Sequence, residues 1–130
     1  MVNANFHYKM LEDKIMTATR EELTLMLYEG GIKFLNKAIM AVEKKNMTDA
    51  HTAIIRVQDI IREFQLTLDH QYPISQELDA LYDYMHRRMV EANMRQGKDL
   101  EILNEVLGMF REFRDTWKEA MKLAKAGQPA

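Results

Sequence analysis

The sequence predicts an all-α protein, an antiparallel up-down-up-down four-helix bundle with an N-terminal segment packed along it. Only 5 Gly and 2 Pro occur among the 130 residues, which leaves few places for the turns that many short strands need. Apolar residues recur at three- and four-residue spacing, and short connections make sequential helices antiparallel neighbours. The length fits one domain, 1–130. The predicted elements are a segment at 1–18 and helices at about 20–45, 48–70, 75–95 and 99–125.

The first predicted helix begins after Thr19. Thr19 and Glu22 form a capping box, in which the hydroxyl and the carboxylate satisfy backbone N–H groups of the first turn. Gly30 and Gly31 lie inside the helix, where each costs about 1 kcal/mol relative to Ala. We interpret the two glycines as a place where a neighbouring helix approaches closely. The predicted core stripe is Leu23, Leu27, Phe34, Ala38 and Ala41.

The other three helices are separated by ordinary helix-breaking residues. Pro73 and Ser75 indicate a short turn followed by the N-cap of the third helix, and Gly97 and Asp99 separate the third helix from the fourth. The predicted core positions are Ala50, Ile54, Val57, Ile61, Phe64 and Leu68 on the second helix, Leu78, Leu81, Tyr82, Met85, Met89 and Ala92 on the third, and Leu103, Val106, Leu107, Phe110, Trp117 and Met121 on the fourth.

The helices carry more apolar residues than these stripes contain. A core-facing helix needs an apolar arc of roughly 100°, whereas the arc of the first helix approaches about 200°. Contiguous apolar surface outside a core usually marks a partner site, and many of the 11 methionines suit such a surface. The residues outside the predicted stripes include Leu25, Tyr28 and Ile32 on the first helix, Ile55 and Leu66 on the second, and Val90 and Met94 on the third.

Most catalytic classes find no support in the sequence. The net charge of -2 provides no basic surface for nucleic acid, and the absence of Cys excludes disulfides and thiolate metal sites. A di-iron bundle needs Glu-x-x-His motifs, and the nearest approach is Asp83-x-x-His86. Phosphate-binding glycine motifs are missing, as is an apolar run long enough to insert into a membrane. We therefore expect a cytoplasmic protein without catalytic, cofactor-binding or metal-binding residues.

Arg114 is an exception on the fourth helix, because its helical-wheel position falls near the centre of the apolar arc. A charged side chain there must pair with an acid or extend to solvent. We expect an ion pair with Asp83 or Glu91 of the third helix.

Several blocks of the sequence resemble the FliS family of flagellin export chaperones. The resemblance covers about residues 8–120. The blocks are Thr17-Ala18-Thr19 with Glu22–Gly30, Ile60-Ile61 with Leu68, Leu81–Met85 with Glu91–Asn93, and Phe113–Asp115 with Trp117.

The resemblance implies a small cytoplasmic helical bundle without cofactors. It implies a chaperone that binds the C-terminal segment of new flagellin, which is disordered when free, prevents its polymerisation and delivers it to the export gate of the flagellar type III secretion apparatus. It also implies that the N-terminal segment covers part of the binding surface when flagellin is absent, and Tyr8 matches the tyrosine of that segment. The predicted flagellin-binding residues are Tyr8, Ile15, Leu25, Tyr28, Ile32, Ile55, Leu66, Tyr84, Val90 and Met94.

Two alternatives remain open. A structural or regulatory bundle could use the same apolar arcs to self-associate, for example as a homodimer. A metal-dependent bundle enzyme is disfavoured by the missing Glu-x-x-His motifs. For the N-terminal segment, a simple packing role is the alternative to covering the groove.

Overall fold

The computed structural model describes residues 18–95 and 98–127. The regular elements in these ranges are four α-helices: α1 (Arg20–Glu43), α2 (Met47–Thr67), α3 (Ser75–Met94) and α4 (Leu100–Lys125). The prediction of an all-α four-helix bundle is confirmed. Residues 1–17, which form most of the segment predicted to pack along the bundle, lie outside the described residues.

Two predicted helix starts are confirmed by side-chain caps. The Thr19 hydroxyl oxygen accepts a hydrogen bond from the Glu22 N–H at 3.1 Å, and the Asp99 carboxylate accepts one from the Ile102 N–H at 3.2 Å. Each bond satisfies a backbone donor that has no partner inside the helix. The local sequence therefore determines where α1 and α4 begin.

Ser75 has a different role from the predicted one. It is the first helical residue of α3 and is buried, while Ile74 occupies the cap position without a side-chain cap. The Ser75 hydroxyl donates to the backbone carbonyl of Asp69. The predicted N-cap at Ser75 is therefore wrong, because this side chain fastens the α2–α3 connection.

The helices form a ring in which each packs against two neighbours. α1 contacts α2 and α4, and α3 also contacts α2 and α4. The Trp117 indole N–H donates to the Glu21 carbonyl at 2.9 Å, and His51 Nδ1 lies 3.0 Å from Asn93 Oδ1. Each contact joins the first part of one helix to the last part of another, so α1 and α4, and likewise α2 and α3, are antiparallel.

The buried side of α1 differs from the predicted stripe. Leu23 is 36% exposed, whereas Tyr28, Ile32 and Leu35 are buried. The placement of Tyr28 and Ile32 outside the core is therefore wrong. The physical reason is that α1 contacts both α2 and α4, so its buried arc is wider than one stripe, and the side assigned to a partner faces α4. The prediction that Leu81 of α3 lies in the core is also wrong, because this residue is 41% exposed.

The α1–α4 contact depends on one glycine. A Cβ added to Gly31 would lie 2.0 Å from Cε2 and 2.5 Å from Cδ2 of Phe110, distances that real Cβ atoms do not adopt. A Cβ at Gly30 would meet Ile60 Cδ1 at 3.8 Å, an ordinary contact. The predicted close approach is confirmed at Gly31 and is not required at Gly30.

Aromatic rings from all four helices meet beside Gly31. The Tyr28 ring lies 4.6 Å from that of Phe64 and 5.9 Å from that of Phe113, measured between centroids, and Phe64 lies 5.3 Å from Tyr82. The hydroxyl oxygens of Tyr28 and Tyr82 are 3.1 Å apart. Burial raises the pKa of both phenols above the ordinary value, so both stay neutral at physiological pH. The fifth ring of this cluster is Phe110, whose centroid is 6.1 Å from that of Phe64.

Candidate partner-binding surface

One side of the α2–α3 pair exposes apolar side chains. Leu66 and Met94 are each 81% exposed, and Ile55 and Val90 are half-buried. Ile55 lies one turn along α2 from His51, and Val90 lies one turn along α3 from Asn93, the partner of His51. Leu66 and Met94 continue the same sides of their helices, because they follow Ile55 and Val90 by three turns and one turn. We call Ile55, Leu66, Val90 and Met94 the α2/α3 face.

A histidine beside this face is kept largely uncharged. Partial burial, reinforced by the nearby positive charge of Arg62, holds the pKa of His86 below its ordinary value, and Asp83 acts in the opposite direction. His86 lies one turn before Val90 on α3. Its neutrality lowers the cost of covering the neighbouring surface with an apolar partner.

The flank of α3 that faces α4 is occupied by hydrogen-bonded polar and charged side chains. The Tyr84 hydroxyl donates to Glu105 of α4 at 2.7 Å, and Arg88 donates to the same carboxylate at 2.8 Å. These two hydrogen bonds lower the pKa of Glu105. The network continues along α3 through Arg88–Glu91, Arg95–Glu91 and Arg95–Asp99. Tyr84 is therefore engaged in the α3–α4 seam and lies apart from the α2/α3 face.

A groove of about 450 Å³ lies between α1 and α4. Ile32 is buried at this groove and Met40 is 54% exposed. Leu25 lies on the same side of α1 as Ile32, seven residues earlier, and is half-buried. The residues that line the groove are Glu29, Ile32, Lys33, Asn36, Lys37 and Met40 of α1 and Arg114 of α4. We call this set the α1/α4 groove.

Arg114 enters this groove and does not cross to α3. Its Nε donates to the adjacent Asp115 at 2.9 Å, and the side chain is 30% exposed. The predicted ion pair with Asp83 or Glu91 is therefore wrong. The physical reason is that Arg114 faces α1, whereas Glu105 is the α4 residue that pairs with Arg88 of α3.

The predicted binding residues do not form one surface. Ile55, Leu66, Val90 and Met94 share the α2/α3 face, Leu25 and Ile32 lie on the α4-facing side of α1, Tyr84 lies in the α3–α4 seam, and Tyr28 lies in the core. Tyr8 and Ile15 lie outside the described residues. Sequence reasoning missed Lys33, Lys37 and Met40 as a group, although the four-residue spacing of the two lysines beside Ile32 was available as a signal.

None of the four helices in the described part of the chain is long and apolar enough to cross a membrane. Residues 18–95 and 98–127 contain no cluster of three or more His, Cys, Asp or Glu side chains that could hold a metal ion.

The fold and its exposed apolar faces are those of a helix-bundle binding protein. A sequence model of the family described as "Flagellar protein FliS" matches residues 3–124. The flagellar secretion chaperone FliS of Bacillus subtilis strain 168 is 41% identical over 111 residues, which cover 85% of this chain and 82% of the relative. The FliS proteins of Escherichia coli K12 and Salmonella typhimurium LT2 are each 30% identical, over 85% and 84% of this chain and 82% of their own lengths. The chain belongs to the FliS family, and the predicted resemblance is confirmed.

Proposed function

We propose that the protein is a cytoplasmic flagellar secretion chaperone that binds the disordered C-terminal segment of flagellin. It keeps this segment from polymerising and, with flagellin bound, docks on the export gate of the flagellar type III secretion apparatus. Membership of the FliS family and the names of the relatives support the role in flagellar secretion. The single structural observation that carries flagellin binding is the exposure of Leu66 and Met94 on the α2/α3 face.

The proposed binding is physical masking and needs no catalytic chemistry. A disordered segment that folds on a surface loses conformational entropy, and burial of apolar area must offset this loss. The α2/α3 face offers flexible Met and branched Leu and Ile side chains, which can pack against the apolar side of an amphipathic helix. We propose that the protein binds no cofactor and is not an enzyme, in keeping with the chaperone names of its relatives.

We expect Leu66→Asp and Met94→Asp each to weaken binding of the flagellin C-terminal segment at least tenfold. Each change places a charge where the partner would otherwise bury an apolar side chain, and a tenfold loss corresponds to about 1.4 kcal/mol. Both side chains are mostly exposed, so helical content and the unfolding midpoint should match the wild type. Titration calorimetry measures the affinity, and circular dichroism measures the fold.

Thr116→Asp is the matched control. Thr116 is exposed on α4, which contributes no residue to the α2/α3 face, and it acquires the same charge. Its affinity should equal that of the wild type. Unchanged affinity in both Leu66→Asp and Met94→Asp would exclude the α2/α3 face as the binding surface. The self-associating bundle would be favoured by two results together. The wild type would not bind flagellin, and the Leu66→Asp or Met94→Asp variant would differ from it in oligomeric size.

Tyr8 and Ile15, two of the predicted flagellin-binding residues, belong to the segment 1–17. We propose that this segment covers part of the binding surface until flagellin displaces it. The support is the family resemblance and its apolar residues at 6, 8, 10, 11, 15 and 16. A segment that competes in this way lowers the apparent affinity for flagellin by the fraction of the surface that remains available.

A further inference from the structure

His86 lies at the seam between α2 and α3, beside the α2/α3 face. On α3 it precedes Val90 of the face by one turn, and it precedes Asn93, which contacts His51 of α2, by two turns. Its ring is already half-buried in the free protein. Long side chains such as those of lysine and arginine can extend past a partner into solvent. The short His86 side chain stays under any partner that covers Val90.

The charge that α2 presents to His86 is positive. Arg62 lies near enough to disfavour protonation of the ring, and its guanidinium donates to the neutral side chain of Gln65 at 3.1 Å. Asp59, one turn before Arg62 on α2, is exposed to solvent. A proton on His86 would therefore place a second positive charge beside Arg62.

The acids of α3 and α4 near this seam are held by other cations. Asp83 favours a charged His86, but its carboxylate accepts a hydrogen bond from Arg87 at 3.1 Å. α4 packs against the other flank of α3, where Glu105 accepts a hydrogen bond from Arg88. The surroundings of His86 thus favour the neutral ring.

We propose that the α2/α3 face holds its client only while His86 is neutral, so that mild acidification releases flagellin. An apolar segment that covers the face removes water from the ring and leaves Arg62 close by, which makes a charged ring costly in the complex. Protons then bind the free protein in preference to the complex, and the affinity for flagellin falls as the pH falls. The inference rests on the proposed function, because it describes how binding at the same face is regulated.

Two other histidines of the described residues do not share these surroundings. The Nδ1 atom of His51 lies 3.0 Å from Oδ1 of Asn93, an acceptor to which a charged ring donates as well as a neutral one, and the side chain is exposed. His70 is exposed in the connection between α2 and α3. A charge on either ring stays hydrated, so neither should control binding.

The test measures the affinity of the full chain for the flagellin C-terminal segment between about pH 8 and pH 5.5, the range in which histidines titrate. An NMR titration of the imidazole signals gives the pKa of His86 in the free protein. Because only the neutral fraction binds, the affinity should fall about twofold at that pKa and about tenfold one pH unit below it. In the complex the pKa of His86 should be lower still.

Three variants assign the pH dependence to one ring. His86→Gln cannot become charged, so its affinity should not follow this fall, whatever its value at neutral pH. Arg62→Gln removes the repelling charge, so the pKa of His86 should rise and the fall in affinity should begin at a higher pH. His70→Gln is the matched control, because it removes an exposed histidine outside the face, and it should keep the pH dependence of the wild type.

The outcomes separate this inference from the proposed function. If the wild type binds flagellin at neutral pH and keeps its affinity one pH unit below the pKa of free His86, the inference is wrong and the proposed function stands. An equal fall in the wild type and in His86→Gln, or a parallel loss of helical content by circular dichroism, also overturns the inference. If the wild type does not bind flagellin at neutral pH, the proposed function fails and the inference fails with it.

Discussion

Replacing Gly31 by Ala is expected to destabilise the protein by about 2 kcal/mol. The added methyl would lie 2.0 Å from the Phe110 ring, and Phe110 is completely buried, so the ring cannot turn away into solvent. Overpacking of a dense core costs about 1–3 kcal/mol, and a contact as short as 2.0 Å belongs at the top of that range. The better helix propensity of Ala returns about 1 kcal/mol, which leaves a net loss of about 2 kcal/mol. The midpoint of thermal unfolding should fall by roughly 6–8 °C for a chain of this size.

Gly30→Ala is the matched control for this measurement. It makes the same chemical change one residue earlier, where the methyl meets Ile60 Cδ1 at 3.8 Å. Here only the helix propensity changes, so the variant should be stabilised by up to about 1 kcal/mol. Urea unfolding followed by circular dichroism measures both variants. A Gly31→Ala protein as stable as Gly30→Ala would mean that α1 and α4 do not approach as described.

Phe110→Ala is expected to have the larger effect, a loss of about 3–5 kcal/mol. Phe110 is fully buried in the aromatic cluster, with ring centroids of Phe64 and Tyr28 at 6.1 and 6.5 Å, so its removal leaves a cavity between all four helices. The cost includes the lost transfer free energy of the ring and the cavity left behind. Urea unfolding gives the change in free energy.

The double variant distinguishes a specific contact from general weakening of the core. In the Phe110→Ala background the methyl of Gly31→Ala meets no ring, so the substitution should stabilise by about 1 kcal/mol where in the wild type it destabilises. This reversal of sign identifies the Gly31–Phe110 contact. Equal destabilisation in the two backgrounds would refute it. If the Phe110→Ala variant does not fold, Phe110→Leu, which removes less volume, replaces it in the double-mutant cycle with Gly31→Ala.

The features that the sequence predicted correctly are those determined locally. Thr19 and Asp99 cap helices through residues three positions away, so neither depends on the tertiary structure. The orientation of α2 was predictable because Asp59 and Arg62 occupy the side opposite its core stripe. The same contrast makes Leu66 identifiable as an exposed apolar residue, although its binding role stays a prediction.

The orientation of α1 could not be predicted from its own residues. Its apolar arc is wide enough that several rotations bury a similar area, and Leu23 is as apolar as Ile32. The rotation is set by Gly31, which admits the Phe110 ring of a helix almost 80 residues later and thereby turns Tyr28 inward.

The hydrogen-bond and ion-pair partners of long polar side chains also could not be predicted from the sequence. Long side chains such as Arg114 can reach in several directions, and the order and offset of the helices decide which acid lies within reach. Arg114 meets its own neighbour Asp115, and Tyr84 meets Glu105. For this reason the sequence could not show that Tyr84 lies in the α3–α4 seam while Leu66 and Met94 lie on the α2/α3 face, and the binding role of all three residues stays a prediction.

The central claim is that flagellin binds the outer α2/α3 face of an intact bundle. It can be tested by titrating protein labelled at the methionine methyl groups with the flagellin C-terminal segment and recording methyl NMR spectra. Met94 is 81% exposed on this face, whereas Met85 and Met89 are fully buried in the core. The account predicts a large shift of the Met94 signal, with the Met85 and Met89 signals almost unchanged. An unperturbed Met94 at saturation, or loss of the Met85 and Met89 signals through opening of the core, would contradict it.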